Sequence, residues 1–307
     1  SHGTSSRVEA FGLRESLTKS CTESNFSAVT LEPKKMKRLV LAMVFVLVAS
    51  PMAFATWSVV AVNAATGEVV VASATCVAQS RFSGFPSRDL MDIQAIIVPG
   101  KGAAAAQAGV DSTRANQQLI FDEITKGTDP AEIIVMLEQD PNIDSRQFGI
   151  VDMSGRTAGH SGASNSAASL HATGRIATEP IYYAVQGNIL ASNRVVYDAV
   201  HALRTTEGSL TDRVMAAMEA ADANGGDKRC TCESNPLPDA PCDGKTAHVA
   251  YILRADATDS SGESFNDGDY TLYISVTDED IASDENANPV KTLRIRYDTW
   301  KAREGLR

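Results

Sequence analysis

Ala53-Phe54-Ala55-Thr56-Trp57-Ser58-Val59-Val60-Ala61-Val62-Asn63-Ala64-Ala65-Thr66-Gly67-Glu68-Val69-Val70-Val71-Ala72-Ser73-Ala74 is the stretch on which the reading of this chain turns. Thr56–Ala61 reads as a buried strand, Asn63–Gly67 as a turn, and Val69–Ala74 as the returning strand. The two-residue period of a strand puts Ser58 on the same face as Thr56. Upstream, Met36-Lys37-Arg38 is a short basic region and Leu39–Ala49 an unbroken apolar run. That run has the length of a secretory h-region and is too short to span a bilayer comfortably. Ser50-Pro51 breaks it, and Ala53-Phe54-Ala55 supplies a small-x-small cleavage pattern. Residues 36–55 therefore read as a signal peptide, residues 1–35 as an upstream leader that is not native, and residues 56–307 as one domain.

Cleavage after Ala55 would leave Thr56 with a free α-amine. Such an amine, with a free pKa near 8, can take the proton of the Thr56 hydroxyl, directly or through one water. That is the N-terminal threonine variant of a nucleophile paired with its base. The bland alternative is a threonine tolerated at a cleavage site.

Outward from the hairpin, strands and helices come in blocks. Ile93–Val98 and Ala103–Ala108 flank Pro99-Gly100-Lys101-Gly102 as a hairpin. Arg114–Thr125 has helical spacing, and Asp129-Pro130 starts a second helix. Phe148–Asp152 and Thr157–His160 read as another hairpin, and Tyr182–Gln186 as a strand running into Gly187-Asn188. Val195–Arg204 and Leu210–Ala223 read as helices, the second capped by Ser209 and stopped by Asn224-Gly225-Gly226. His248–Arg254 and Tyr270–Val276 read as late strands. Asn288-Pro289 starts a last helix, or Ile295-Arg296-Tyr297 forms a strand. This order fits an α+β layered domain, not the βα alternation of a parallel sheet. Inserted segments near 80–90, 230–246 and 258–269 read as surface loops.

Several segments taken together resemble the DUF1028 family, assigned to the N-terminal nucleophile (Ntn) hydrolases. They are Thr56-Trp57-Ser58-Val59-Val60-Ala61, Ala105-Ala106-Gln107-Ala108, Arg146-Gln147-Phe148-Gly149-Ile150-Val151-Asp152, Ser154-Gly155-Arg156, Ser161-Gly162, Val185-Gln186-Gly187-Asn188-Ile189-Leu190-Ala191 and Gly225-Gly226-Asp227-Lys228-Arg229. The resemblance implies a four-layer αββα sandwich of two antiparallel sheets and a Thr56 nucleophile.

Asn188, with backbone N–H groups around Gly187, is the candidate oxyanion donor; the rival reading is a turn needing Gly and Asn at positive φ. Ser58 is the candidate assistant to the amine. Gln107, Gln186, Gly187, Asp227 and Arg229 are candidates to shape the pocket or orient the amine, against a surface Asp227–Arg229 pair of little worth. Asn266-Asp267-Gly268-Asp269 reads as a solvated turn, since the EF-hand pattern is absent.

Cys76, Cys230, Cys232 and Cys242 are an even set in an exported chain, with three possible disulfide connectivities. Cys232–Cys242 with Cys76–Cys230 is one of these, and the connectivity stays open; the rival reading is a Cys-x-Cys metal site. No catalytic metal and no cofactor is expected. The 307 residues carry 28 Lys+Arg against 38 Asp+Glu, with only 6% aromatics, which disfavours nucleic acid as a partner. No membrane association is expected after signal removal, and a homo-oligomer is open. The function that follows is an exported Ntn-type hydrolase, secreted or periplasmic, acting on a small-molecule or peptide amide. The alternative is a non-catalytic binding or assembly protein on the same scaffold.

Overall fold

Alternation along the first long strand sets the order of the layers. In the computed structural model, which describes residues 53–54, 56–84 and 87–305, that strand is β2 (Thr56–Asn63), preceded by the two-residue β1 (Ala53–Phe54). The remainder of the segment read as a signal peptide, and the leader before it, lie outside the described residues. Trp57, Val59 and Ala61 point to one side of β2, into a core shared with helices. Val60 and Val62 point to the other, into a core shared with a second sheet.

The sheet holding β2 has six antiparallel strands in the order β11-β10-β3-β2-β9-β8. These are β3 (Glu68–Thr75), β8 (Leu170–Arg175), β9 (Ile181–Asn188), β10 (Val249–Ala255) and β11 (Leu272–Thr277). The facing sheet contains β4 (Ala95–Val98), β5 (Gly102–Gly109), β6 (Arg146–Asp152) and β7 (Thr157–Ser161). Its order is β1-β5-β6-β7, with β4 also pairing β5.

Helices α2 (Ala115–Lys126) and α3 (Pro130–Leu137) cover the outside of this sheet. They bury Ile120, Phe121, Ile124, Ile133 and Leu137 against Ile96, Ala104, Phe148 and Ile150. Helices α4 (Arg194–Thr205), α5 (Leu210–Ala223) and α6 (Pro289–Arg303) cover the six-stranded sheet. The fold is an α+β sandwich with the layers αββα. Local chemistry fixes the helix starts: Ser209 and Asp212 form a reciprocal capping box on α5, and Asp129 with Pro130 opens α3.

Three sequence expectations change, and the open choice at Ile295–Tyr297 resolves to helix. Ile93 and Gln94 end a short helix, α1 (Leu90–Gln94), because the Asp89 carboxylate accepts from the N–H groups of Met91 and Asp92. Ile295–Tyr297 lies within α6, capped by Asn288. Gly187 and Asn188 are not a turn: both pair within β9, opposite Trp57 and Thr56, and the positive φ falls on Ile189 at 54°. Residues 80–90 and 258–269 are not purely superficial. Phe82 joins the core between the sheets, Phe265 joins the core under α2 and α3, and the Asn266 amide donates to the carbonyls of Met91 and Ala95. Those two backbone acceptors, remote in sequence, make Asn266 a buried plug instead of a solvated turn.

Candidate functional site

The site is built where β2 begins. Thr56 pairs with Thr75 on one side and Asn188 on the other, so it starts a central strand clamped by two neighbours. Its hydroxyl donates to Thr75 Oγ1 at 3.2 Å. By alternation Thr56, Ser58, Gln186 and Asn188 share the face turned to the second sheet. In the chain as it stands, Thr56 is only 1% exposed and its nitrogen is the amide of the Ala55–Thr56 bond.

A buried hydrogen-bond network crosses between the sheets at this level. Gln107 of β5 is its hub: its Oε1 accepts from Ser58 Oγ and from Gln94 Nε2, each at 2.7 Å. Gln107 Nε2 donates to the Thr56 carbonyl at 3.0 Å and to Gln147 Oε1 at 2.7 Å. Gln147 Nε2 in turn lies 2.8 Å from Ser161 Oγ and 3.0 Å from the Gly187 carbonyl. Gln186 Nε2 donates to the Ala105 carbonyl. Tyr251 donates to Gln94 Oε1, and burial raises its phenol far above the ordinary range, so it stays a donor. Gly149 makes room for this network: a Cβ there would sit 3.0 Å from Gln186 Oε1.

Two non-glycine residues in the left-handed region flank Thr56, Ala108 at φ 70° directly after Gln107 and Ile189 at φ 54° directly after Asn188. Such backbones cost of order 1 kcal/mol or more each, and they concentrate at functional sites. The main chain is therefore bent on both sides of the threonine.

Asp227 and Arg229 act at one remove. Asp227 is fully buried, ruling out the surface-pair reading. Its Oδ2 accepts from the Cys76 N–H at 3.0 Å and pairs with Arg229 Nη2 at 2.8 Å, so it fixes the residue that follows Thr75. The Cys76–Cys230 disulfide ties down the same corner, and Cys232–Cys242 closes the loop beyond it. Of the three connectivities open to these cysteines, this one pairs Cys230 and Cys232 each with a partner outside the Cys-x-Cys pair. His248 lies near the first disulfide, with Nδ1 2.8 Å from Asp278 Oδ2. Gly187 enters the network through its carbonyl, which accepts from Gln147, and a side chain there would meet Leu190. Gly226 has a packing role, since a Cβ would meet the Trp57 ring at 2.6 Å.

The structure thus brings together Thr56, Ser58, Gln107, Gln186 and Asn188, and adds Thr75, Gln94 and Gln147. The signal for Gln147 was available: it is a polar residue sharing a strand face with Gly149 and Val151. Gln94 gave none, being hidden in an apolar run. Among the described residues no helix is long and apolar enough to cross a membrane.

Residues 56–260 match the family described as a family of unknown function, DUF1028. Among solved structures the chain is similar to a crystal structure of a DUF1028 protein from Silicibacter pomeroyi. The TM-score is 0.58 and the identity 18%, over 80% of this chain and 86% of that one, which supports the shared fold alone. No curated protein matches the sequence.

Proposed function

The chain belongs to the DUF1028 family, and from that premise we propose that it is an exported Ntn-type amidohydrolase. The observation that carries the reading is the placement of Thr56: first residue of a central strand, directly opposite Asn188, with its carbonyl held by Gln107. Removal of the segment ending at Ala55 would free the Thr56 amine. The amine takes the hydroxyl proton as Oγ1 attacks an amide carbonyl. Asn188 and neighbouring N–H groups receive the oxyanion. The C–N bond then breaks, the proton passes to the departing amine, and water hydrolyses the ester left on Thr56, restoring hydroxyl and amine. The two disulfides suit a secreted or periplasmic location.

The test is covalent labelling of the mature chain by an acylating β-lactone, read by peptide mass. The expected result is one acyl group on Thr56, absent in Thr56→Ala, with hydrolysis of any amide substrate found down at least about 1,000-fold. An unlabelled Thr56 with a free amine would sink the mechanism. The near-complete burial of Thr56 in the uncleaved chain favours a second reading, a binding or assembly protein on this scaffold. That reading requires Thr56→Ala to leave partner binding unchanged.

A further inference from the structure

The edge of β5 beside Thr56 has its own geometry. β4 covers that edge from Gly102 to Ala105 and stops. Ala53 and Phe54 resume the pairing at Gly109 and Ala108, antiparallel. Two residues after Phe54 the chain enters the other sheet as Thr56. The carbonyl of residue 55 is bonded to the Thr56 nitrogen, so the Thr56 hydroxyl can approach it through a five-membered ring. That is the place an acyl carbonyl must take to be attacked by Oγ1. Ala53 and Phe54 therefore run along the path of an acyl group leading to Thr56.

The edge is firmly built. Arg146 Nη1 donates to the Gly109 carbonyl at 2.7 Å while its Nε holds Asp140, also at 2.7 Å. Ala108 is fixed at φ 70°. Once the segment before Thr56 is gone, backbone groups at Ala108 and Gly109 are left facing an open strand position.

We propose that this vacated edge is the substrate's acyl-side subsite, and that the substrate is a peptide in extended form. It adds as a short strand antiparallel to β5, with the two residues before its reacting residue opposite Ala108 and Gly109, where Phe54 and Ala53 pair. This is strand addition at a sheet edge, in which main-chain bonds supply the affinity. No preference for alanine is read from Ala55, since export alone accounts for a small residue there. The proposal rests on Thr56 being the nucleophile.

The experiment uses the mature chain beginning at Thr56, isotope-labelled for amide NMR, and the product-like peptide N-acetyl-Ala-Phe-Ala. Saturable shifts of the Ala108 and Gly109 amides are expected. Backbone N-methylation of the peptide at its first alanine or at its phenylalanine tells the mode apart. In an antiparallel pair only alternate residues bond to a given neighbour, so one isomer should lose about tenfold in affinity and the other little. Equal binding of both isomers, shifts confined elsewhere, or no saturable shift at millimolar peptide would each overturn the proposal. β-Lactone labelling of the same sample separates the two readings. A labelled Thr56 without peptide binding sinks the edge alone. Peptide binding beside an inert Thr56 removes the substrate role and leaves a peptide-binding edge.

Discussion

The two ends of the layer between the sheets are made by the same strands from different residues. At the far end β2, β3, β5, β6 and β10 contribute Val60, Val62, Val69, Val71, Ala103, Val151, Leu253 and Ala255, all apolar and buried. At the near end the same strands contribute Thr56, Ser58, Ser73, Thr75, Gln107, Gln147 and Tyr251, equally buried. The far half holds by area removed from water, which tolerates small shifts. The near half holds by hydrogen bonds whose partners must all be present, because an unpaired buried donor or acceptor costs about 1–3 kcal/mol. The contrast sets the near end apart as a buried polar layer in a sandwich whose far end is apolar.

The largest stability effect should come from the near end's covalent tie. Cys76–Cys230 spans 154 residues and Cys232–Cys242 only 10. By loop-closure entropy they are worth about 5 and about 3 kcal/mol. Replacing the first pair by serine should lower stability more, measured by denaturant unfolding. The reverse order would mean that the corner at Thr75 is held by Asp227 alone.

Gln107→Leu strips acceptors from Ser58 and Gln94 and donors from Gln147 and the Thr56 carbonyl. It should cost about 3 kcal/mol and, if Thr56 is the nucleophile, lower its labelling rate. Val71→Ala at the far end should cost about 2 kcal/mol and leave labelling alone. Loss of labelling in both variants would erase the distinction between the two ends.

The smallest effect concerns pH and lies outside both ends. Burial raises the Asp222 carboxyl above its ordinary range, against hydrogen bonds from Thr246 and Asn288. A raised folded-state pKa favours the protonated form on folding. The stability it brings is complete below the unfolded value near 3.9 and is lost as pH rises through the folded one. Asp222→Asn should flatten that part of the stability–pH curve, seen in urea titrations between pH 4 and pH 7. An unchanged slope would place the carboxyl's ionisation elsewhere.

Much of this contrast could be read before any coordinates. The β2–β3 hairpin announces itself through two apolar runs around Asn63–Gly67, and α3 and α5 through their caps. The face shared by Thr56 and Ser58 follows from period two. Asn188 was legible as a residue of interest but not as a strand residue, since Gly-Asn in isolation signals a turn and only pairing with Thr56 and Trp57 overrides it. Gln94 was hidden because Ile93–Val98 reads as one strand, and the Asp89 cap that splits it is visible only beside the helix it starts. Asn266 reads as part of a solvated turn because its acceptors are over 170 residues away, beyond any local pattern.

A practical rule for producing the protein comes from the first residue of β2 lying between two strands in the sheet interior. If Thr56 is the nucleophile, an affinity tag fused ahead of it would leave an amide where that mechanism needs an amine, and its residues would compete for the edge at Ala108. On that reading a folded, tagged protein would score as inert in a hydrolase screen. A fair test of the reading therefore uses the chain cleaved after Ala55, with any tag placed after α6.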